Sequence, residues 1–324
     1  MHGRIIGLAF AISYPILGAI GVPANVTAIV ILSRGKCGLS KCITRYLVAM
    51  AVSDLLVTII GVILNRINGL FFPYSFLYIT PLCTLRSFLL FVARDSSVWI
   101  TIAFTFDRYV TICCQKLKRK YCTEKCATTV ILTVCVLFCL KNIPWCFAFR
   151  PSYIVNGISW YCNLIPEYYT SQIWIAFDLT DTLLGSFVAF VVILLLNALT
   201  GKYILVASRV RWKLRANCSG ETNHDPEWEN RRNSIILLFS ISGSFILLWM
   251  PYLIVFVYMQ IANHNSSSGS NSPLYIAQEV AFLLQLLSCC TNTCIYAVTQ
   301  RKFREELKNG IRYARKFTEK LFTS

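Results

Sequence analysis

The chain has 324 residues, 56% hydrophobic and 14% charged, with a net charge of +16 and a mean hydropathy of +0.58. A water-soluble fold cannot bury that much apolar surface, so composition excludes a soluble enzyme or binding module and indicates an all-α membrane protein. The charge does not indicate nucleic acid: 25 of the 31 Lys and Arg fall in four clusters, Arg34–Arg45, Arg108–Lys125, Lys202–Arg232 and Arg301–Lys320, and these lack the stacking aromatics of a single-strand binder.

Seven apolar segments can be drawn, at 6–33, 44–68, 80–113, 127–149, 172–208, 233–261 and 273–299. Each is long enough to cross a bilayer. Each is also continuous, whereas a β-barrel strand alternates over about ten residues. The expected architecture is a seven-transmembrane helix bundle over residues 1–300, followed at 301–324 by a short amphipathic eighth helix and tail. The basic clusters sit at every second connection, which places them in the cytosol, facing anionic membrane lipids. The predicted location is the plasma membrane, multi-pass, with the N-terminus outside and the C-terminus cytoplasmic. The first segment runs past Pro23 to Leu32 and ends at Arg34, Lys36 and Lys41, so an uncleaved helix is expected rather than a signal peptide.

Residues 150–171 form a longer outer loop, with Trp160 and Cys162. Residues 262–272 are a Ser/Gly-rich outer linker in which Asn265-Ser266-Ser267 is a glycosylation sequon. Beyond Thr299, Phe303, Leu307, Ile311, Ala314 and Leu321 recur at helical spacing among Lys and Arg, which suits a helix lying on the inner membrane face; Gly310 weakens its middle.

There are fifteen cysteines. Most fall in the reducing cytosol or inside helices as small apolar fillers. Cys83, Cys146 and Cys162 remain near the oxidising side. Cys83 with Cys162 is the expected disulfide, with Cys146 as the rival partner. No Cys/His set has zinc spacing; the histidines are His2, His224 and His264.

Ionisable groups deep in a membrane are costly and usually face an interior. Here they are Asp54, Arg94, Asp95, Asp181 and Glu279. Leu90, Arg94, Ser97, Thr101, Phe104 and Arg108 step by four and three and share one face of the third segment. That face is read as the wall of a central cavity. Asp54 has Ser97, Ser288 and Asn292 at similar depth; the set suits either a monovalent cation or a protonated, hydrogen-bonded cluster. Arg94 and Asp95 point about 100° apart on a helix, so Asp181 is its expected partner. Arg94 reads equally as an anion-binding group or as half of an internal pair.

These landmarks are ordered: "GVPANV" with Asn25, "LVAMAVSD" with Asp54, Cys83, Asp107-Arg108-Tyr109, "FILLWMP" with Phe245, Trp249 and Pro251, "NTCIY" with Asn292 and Tyr296, then "RKFREEL". In that order and spacing the chain resembles a rhodopsin-like, class A G-protein-coupled receptor. Through "GVPANVTAIVILSR", "SSVWITIAFTFDRY" and "NIPW" it looks most like the group around G-protein coupled receptor 139, linked to aromatic amino acids and related peptides. The resemblance implies no enzyme activity and no cofactor beyond a sodium ion at Asp54, Ser97, Ser288 and Asn292. It implies an extracellular small-molecule or short-peptide ligand and a heterotrimeric G protein, of the Gq/11 type in the closest group. Asp107, Arg108, Tyr109, Phe245, Trp249, Pro251, Asn292 and Tyr296 would carry coupling. The ligand pocket would draw on Leu90, Phe91, Arg94, Asp181, Trp249, Tyr252, Phe256, Glu279, Phe282 and Gln285. Departures are Thr293 where the seventh-segment motif usually has Pro, and Tyr252 where the close group carries Arg.

Many such receptors hold the Arg108 side chain with an acid at the inner end of helix six. Twenty residues before Pro251 stands Arg231, a like charge, which predicts no such lock and appreciable basal signalling. Rival readings are a non-signalling receptor-like protein that escorts partners and, less favoured, a transporter. An opsin needs a Lys in the seventh segment, and residues 273–299 have none.

Overall fold

The computed structural model describes residues 2–216, 226–261 and 273–323. Seven helices in it are long and apolar enough to cross a membrane. They are α1 (His2–Ser33), α2 (Lys41–Phe71), α3 (Thr80–Cys113), α4 (Glu124–Phe147), α5 (Gln172 to Ala216), α6 (Pro226–Ile261) and α7 (Pro273–Thr299). After Gln300, α8 (Arg301–Thr323) runs unbroken through Gly310. The basic-cluster end of the bundle is called inner below, and the opposite end outer.

Local chemistry sets several boundaries. Ser40 caps α2 by accepting the Ile43 N–H, and Thr123 caps α4 by accepting that of Cys126. Pro144 brings α4 to an end in a tight 3₁₀ turn at Ile143–Phe147. The outer half of α2 widens into a π-helical stretch, Thr58–Ile67, and α5 does so at Leu183–Phe187; nothing in the residue pattern announced either. Arg86 Nη1, on α3, donates to the Leu64 carbonyl in the widened part of α2 at 3.0 Å.

The first helix meets the seventh closely because residue 21 is glycine. A Cβ there would lie 2.5 Å from Cys290 Sγ and 3.1 Å from Thr58. One turn inward, Asn25 Nδ2 donates to the Cys289 carbonyl at 2.9 Å, and Thr293 Oγ1 donates to the Ala24 carbonyl at 3.1 Å. At the position where a proline would have bent α7, this chain places a cross-helix hydrogen bond.

The outer loop after α4 is more regular than its sequence suggested. Strands β1 (Phe149–Arg150) and β4 (Asn163–Leu164) pair antiparallel, and β2 (Tyr153–Val155) pairs with β3 (Ile158–Trp160). Asn156 and Gly157 both have positive φ at the turn of the inner hairpin. Cys162 is disulfide-bonded to Cys83 at the top of α3, with Cα atoms 6.1 Å apart, while Cys146 is free. Trp145 anchors the region from below: its ring lies 4.6 Å from Phe91 and 5.5 Å from Phe177, joining α3, α4 and α5. The sequon at Asn265 lies outside the described residues, as does the side chain of Arg231.

Candidate functional site

Between the outer halves of α2, α3, α6 and α7 lies a narrow cavity of about 40 Å³. Six of the ten residues expected for a ligand pocket line it: Leu90, Phe91, Arg94, Trp249, Phe282 and Gln285. The other four are elsewhere. Tyr252 stands edge-on to Trp249, ring centroids 6.5 Å apart, and Phe256 is half-buried farther out on α6. Asp181 is taken up by two cations and Glu279 by one.

Arg94 pairs with Asp95 and Asp181. Its Nε is 3.3 Å from Asp95 Oδ1, and its Nη2 is 3.6 Å from Asp181 Oδ2. The two residues do leave α3 in different directions, yet the long guanidinium stem bends back to Asp95 while also meeting Asp181, the expected partner. A fourth member was not anticipated. Lys141 of α4 reaches Asp95 at 2.6 Å and Asp181 at 2.5 Å. Asn142 Nδ2 donates to Asp95 at 3.0 Å as well. Two cations and two carboxylates therefore bind α3, α4 and α5 together in a nearly solvent-free cluster.

On the other side of the cavity, Glu279 accepts from Arg66 Nη1 and from the Tyr14 hydroxyl, each at 3.0 Å. The Arg66 guanidinium lies 4.5 Å over the Phe282 ring. This second pair joins α1, α2 and α7. Arg66 and Lys141 are the functional-site residues the sequence reading missed. They were legible in one respect: both are basic residues in outer helix halves, away from the four inner clusters, where the positive-inside bias supplies no reason for them.

The cavity floor is Trp249. Its indole N–H donates to Ser288 Oγ at 3.1 Å, and its ring stacks on Phe245 at 5.1 Å. Below lies a smaller, more polar space of about 10 Å³ lined by Ser97, Thr101, Ser244, Ser288 and Asn292 among others. At its edge Asp54 accepts from Ser97 Oγ at 2.6 Å and Asn292 Nδ2 at 2.7 Å. Ser288 makes no hydrogen bond to Asp54; its hydroxyl serves Trp249 instead.

At the inner end, Arg108 is 2% exposed and ion-paired with Asp107, its neighbour on α3. Asp107 also accepts from the Cys42 thiol of α2 at 3.0 Å. Tyr109 is half-buried. Tyr296 is fully buried against Phe303 of α8, ring centroids 6.0 Å apart. Phe104, Leu238, Ile241 and Tyr296 belong to one apolar core at this level. That core separates Arg108 from the polar space above.

A family model for the 7 transmembrane receptor (rhodopsin family) matches residues 24–296. The chain belongs to that family. Among curated proteins, this rhodopsin-family receptor is 25% identical over 274 residues to the tachykinin-like peptides receptor 86C of Drosophila melanogaster. The match covers 82% of the present chain and 51% of that receptor, so the chain spans about half the length of this relative. Membership makes the protein a receptor rather than an enzyme. Along the bundle the three layers run in order: outer cavity, aromatic floor, buried inner arginine.

Proposed function

We propose that this receptor binds an extracellular small molecule or short peptide in the outer cavity and activates a heterotrimeric G protein from its inner face. In this reading the N-terminus is outside and the C-terminus cytoplasmic. One observation carries it. Arg108 is sealed at the inner end of α3, while a polar and aromatic column from Gln285 through Trp249 and Phe245 links the ligand cavity to the core above it. A ligand shifts such a bundle only by its differential affinity for two arrangements. Contact with Trp249 disturbs the stack on Phe245. Pro251 leaves the Leu247 carbonyl without its usual helical donor, so α6 can bend there and its inner half can move outward. Arg108 is then exposed to the G protein.

The relative named for tachykinin-like peptides supports a peptide ligand, as does the aromatic lining. The similarity to the group around G-protein coupled receptor 139 supports an amino-acid-like one. Sodium is part of the proposal too: Asp54, Ser97 and Asn292 offer carboxylate, hydroxyl and amide oxygens beside a polar space, a donor set that suits a monovalent cation. When bound it would favour the closed form. Ser288 drops out of that set because Trp249 occupies it. The like charge at Arg231 leads us to propose appreciable basal signalling.

The test compares wild type with Arg108→Ala at equal surface density, in cells challenged with amino acids and short peptides. Basal and ligand-induced second-messenger signals should fall to the mock-transfected level in Arg108→Ala. Equal signals from both would end the coupling role. A wild type that reaches the surface and never signals would favour the escort reading.

A further inference from the structure

Of the described side chains that line the outer cavity, only one has a sealed polar atom without a partner. Arg94 reaches the cavity, but Asp95 and Asp181 hold its guanidinium, and Lys141 completes their coordination. Asp178, three residues before Asp181, accepts the Tyr168 hydroxyl at 2.7 Å. The local balance is thus two cations against three carboxylates. A ligand carboxylate brought to Arg94 would add a negative charge where no cation is left over. In a water-poor interior that repulsion is far stronger than in solvent.

Gln285 is the contrasting group. It lines the cavity beside Arg94 and is 3% exposed. Its Nε2 is sealed from solvent and has no hydrogen-bond partner. Buried amides without partners are rare in folded chains. A site that holds one discriminates strongly in favour of a ligand that completes it. The natural complement of a carboxamide is a second amide, whose carbonyl accepts the N–H and whose N–H meets the carbonyl. Around it, Leu90, Phe91, Trp249, Phe282 and Leu286 present carbon surface.

We propose that the ligand sets an uncharged amide, either a peptide group or an amidated terminus, against Gln285 and an aromatic or aliphatic side chain into the adjoining apolar space. A free carboxylate is excluded from this position. The proposal rests on the reading of the outer cavity as the ligand site.

The experiment uses the purified full chain in nanodiscs and reads its thermal unfolding midpoint. Without ligand, Gln285→Leu should leave the midpoint unchanged or raise it, because an unpartnered buried polar group is replaced by a hydrocarbon of similar size. A clear fall would mean that Gln285 is satisfied inside the bundle, and would overturn the proposal. The second arm titrates wild type with N-acetyl-phenylalaninamide and with N-acetyl-phenylalanine up to the same millimolar concentration. The amide should raise the midpoint, with the acid at least about tenfold weaker in apparent affinity. Gln285→Leu should abolish that preference. An acid as good as the amide, a preference that survives in Gln285→Leu, or no response to the amide would each overturn it. Neither arm reads signalling. A receptor that prefers the amide and never couples would sink the coupling proposal while leaving this one standing.

Discussion

The receptor buries charge at two levels of α3, and the two arrangements are built differently. Near the middle, Arg94 and Asp95 are tied to Lys141 of α4 and Asp181 of α5, so the pairing is a bond between helices. At the inner end, Arg108 pairs with the residue before it on the same helix. Opening the outer cluster pulls α3, α4 and α5 apart and strands several ions in a dry interior. Releasing Arg108 need move no helix away from another at that contact. The outer half is therefore a fixed wall against which a ligand can push, and the inner half holds a group that a modest rearrangement can uncover.

The first way to break this comparison is Asp95→Ala. It removes the acceptor of Lys141, Asn142 and Arg94 together. Loss of one partner from a buried ion cluster destabilises by about 3–5 kcal/mol, so the unfolding midpoint and surface expression should drop sharply. If both stay at wild-type levels, the cluster does not bind the helices. Next is the joint Cys83→Ala, Cys162→Ala variant, which frees the hairpin loop from α3. The expected loss is about 2–4 kcal/mol, detected as a lower midpoint with increased hydrogen exchange confined to residues 149–164.

A smaller effect is expected at the inner end. Cys42→Val removes the thiol donor to Asp107. A hydrogen bond to a charged group contributes about 1.5–3 kcal/mol. Because losing that bond loosens the acid that holds Arg108, basal signalling should rise by a few-fold while surface expression changes little. The opposite pattern, lost expression with unchanged signalling, would make the inner end as structural as the outer. The smallest effect is assigned to Arg231→Glu, which puts an acid where the chain has a like charge. Basal signalling should decline about two- to fivefold, equivalent to roughly 0.4–1 kcal/mol, the scale of a single surface ion pair. No decline would remove the charge argument for basal activity.

The seven crossings were legible because continuous apolar length is a one-dimensional property, and the structure's spans differ from the expected segments by a few residues at most. The Cys83–Cys162 bridge was legible from topology, since only cysteines on one side of the bundle can oxidise together. Asp54 with Ser97 and Asn292 followed from matched depth along three helices. Rotation was not legible. Nothing in the order of residues says that Lys141 of α4 turns toward Asp95, or that Arg66 turns across α2 toward Glu279, because helical phase between separate segments is set by packing. The widened turns of α2 alter that phase again, so even a correct face assignment made for a regular helix would misplace its outer residues. A usable signal did exist. Arg66, Arg86, Arg94 and Lys141 lie in membrane segments away from the inner clusters, and each meets a carboxylate or a backbone carbonyl.

The bond between the Trp249 indole and the Ser288 hydroxyl has a consequence for how sharply this receptor can respond. While it lasts, the ring cannot tilt without leaving a donor and an acceptor stranded in hydrocarbon, so thermal jostling alone seldom turns it. Under the proposed mechanism, the detent this creates would filter out glancing occupants and answer those that reach the bottom of the well. Its strength should be readable in the indole N–H stretch, which shifts when the serine oxygen lets go.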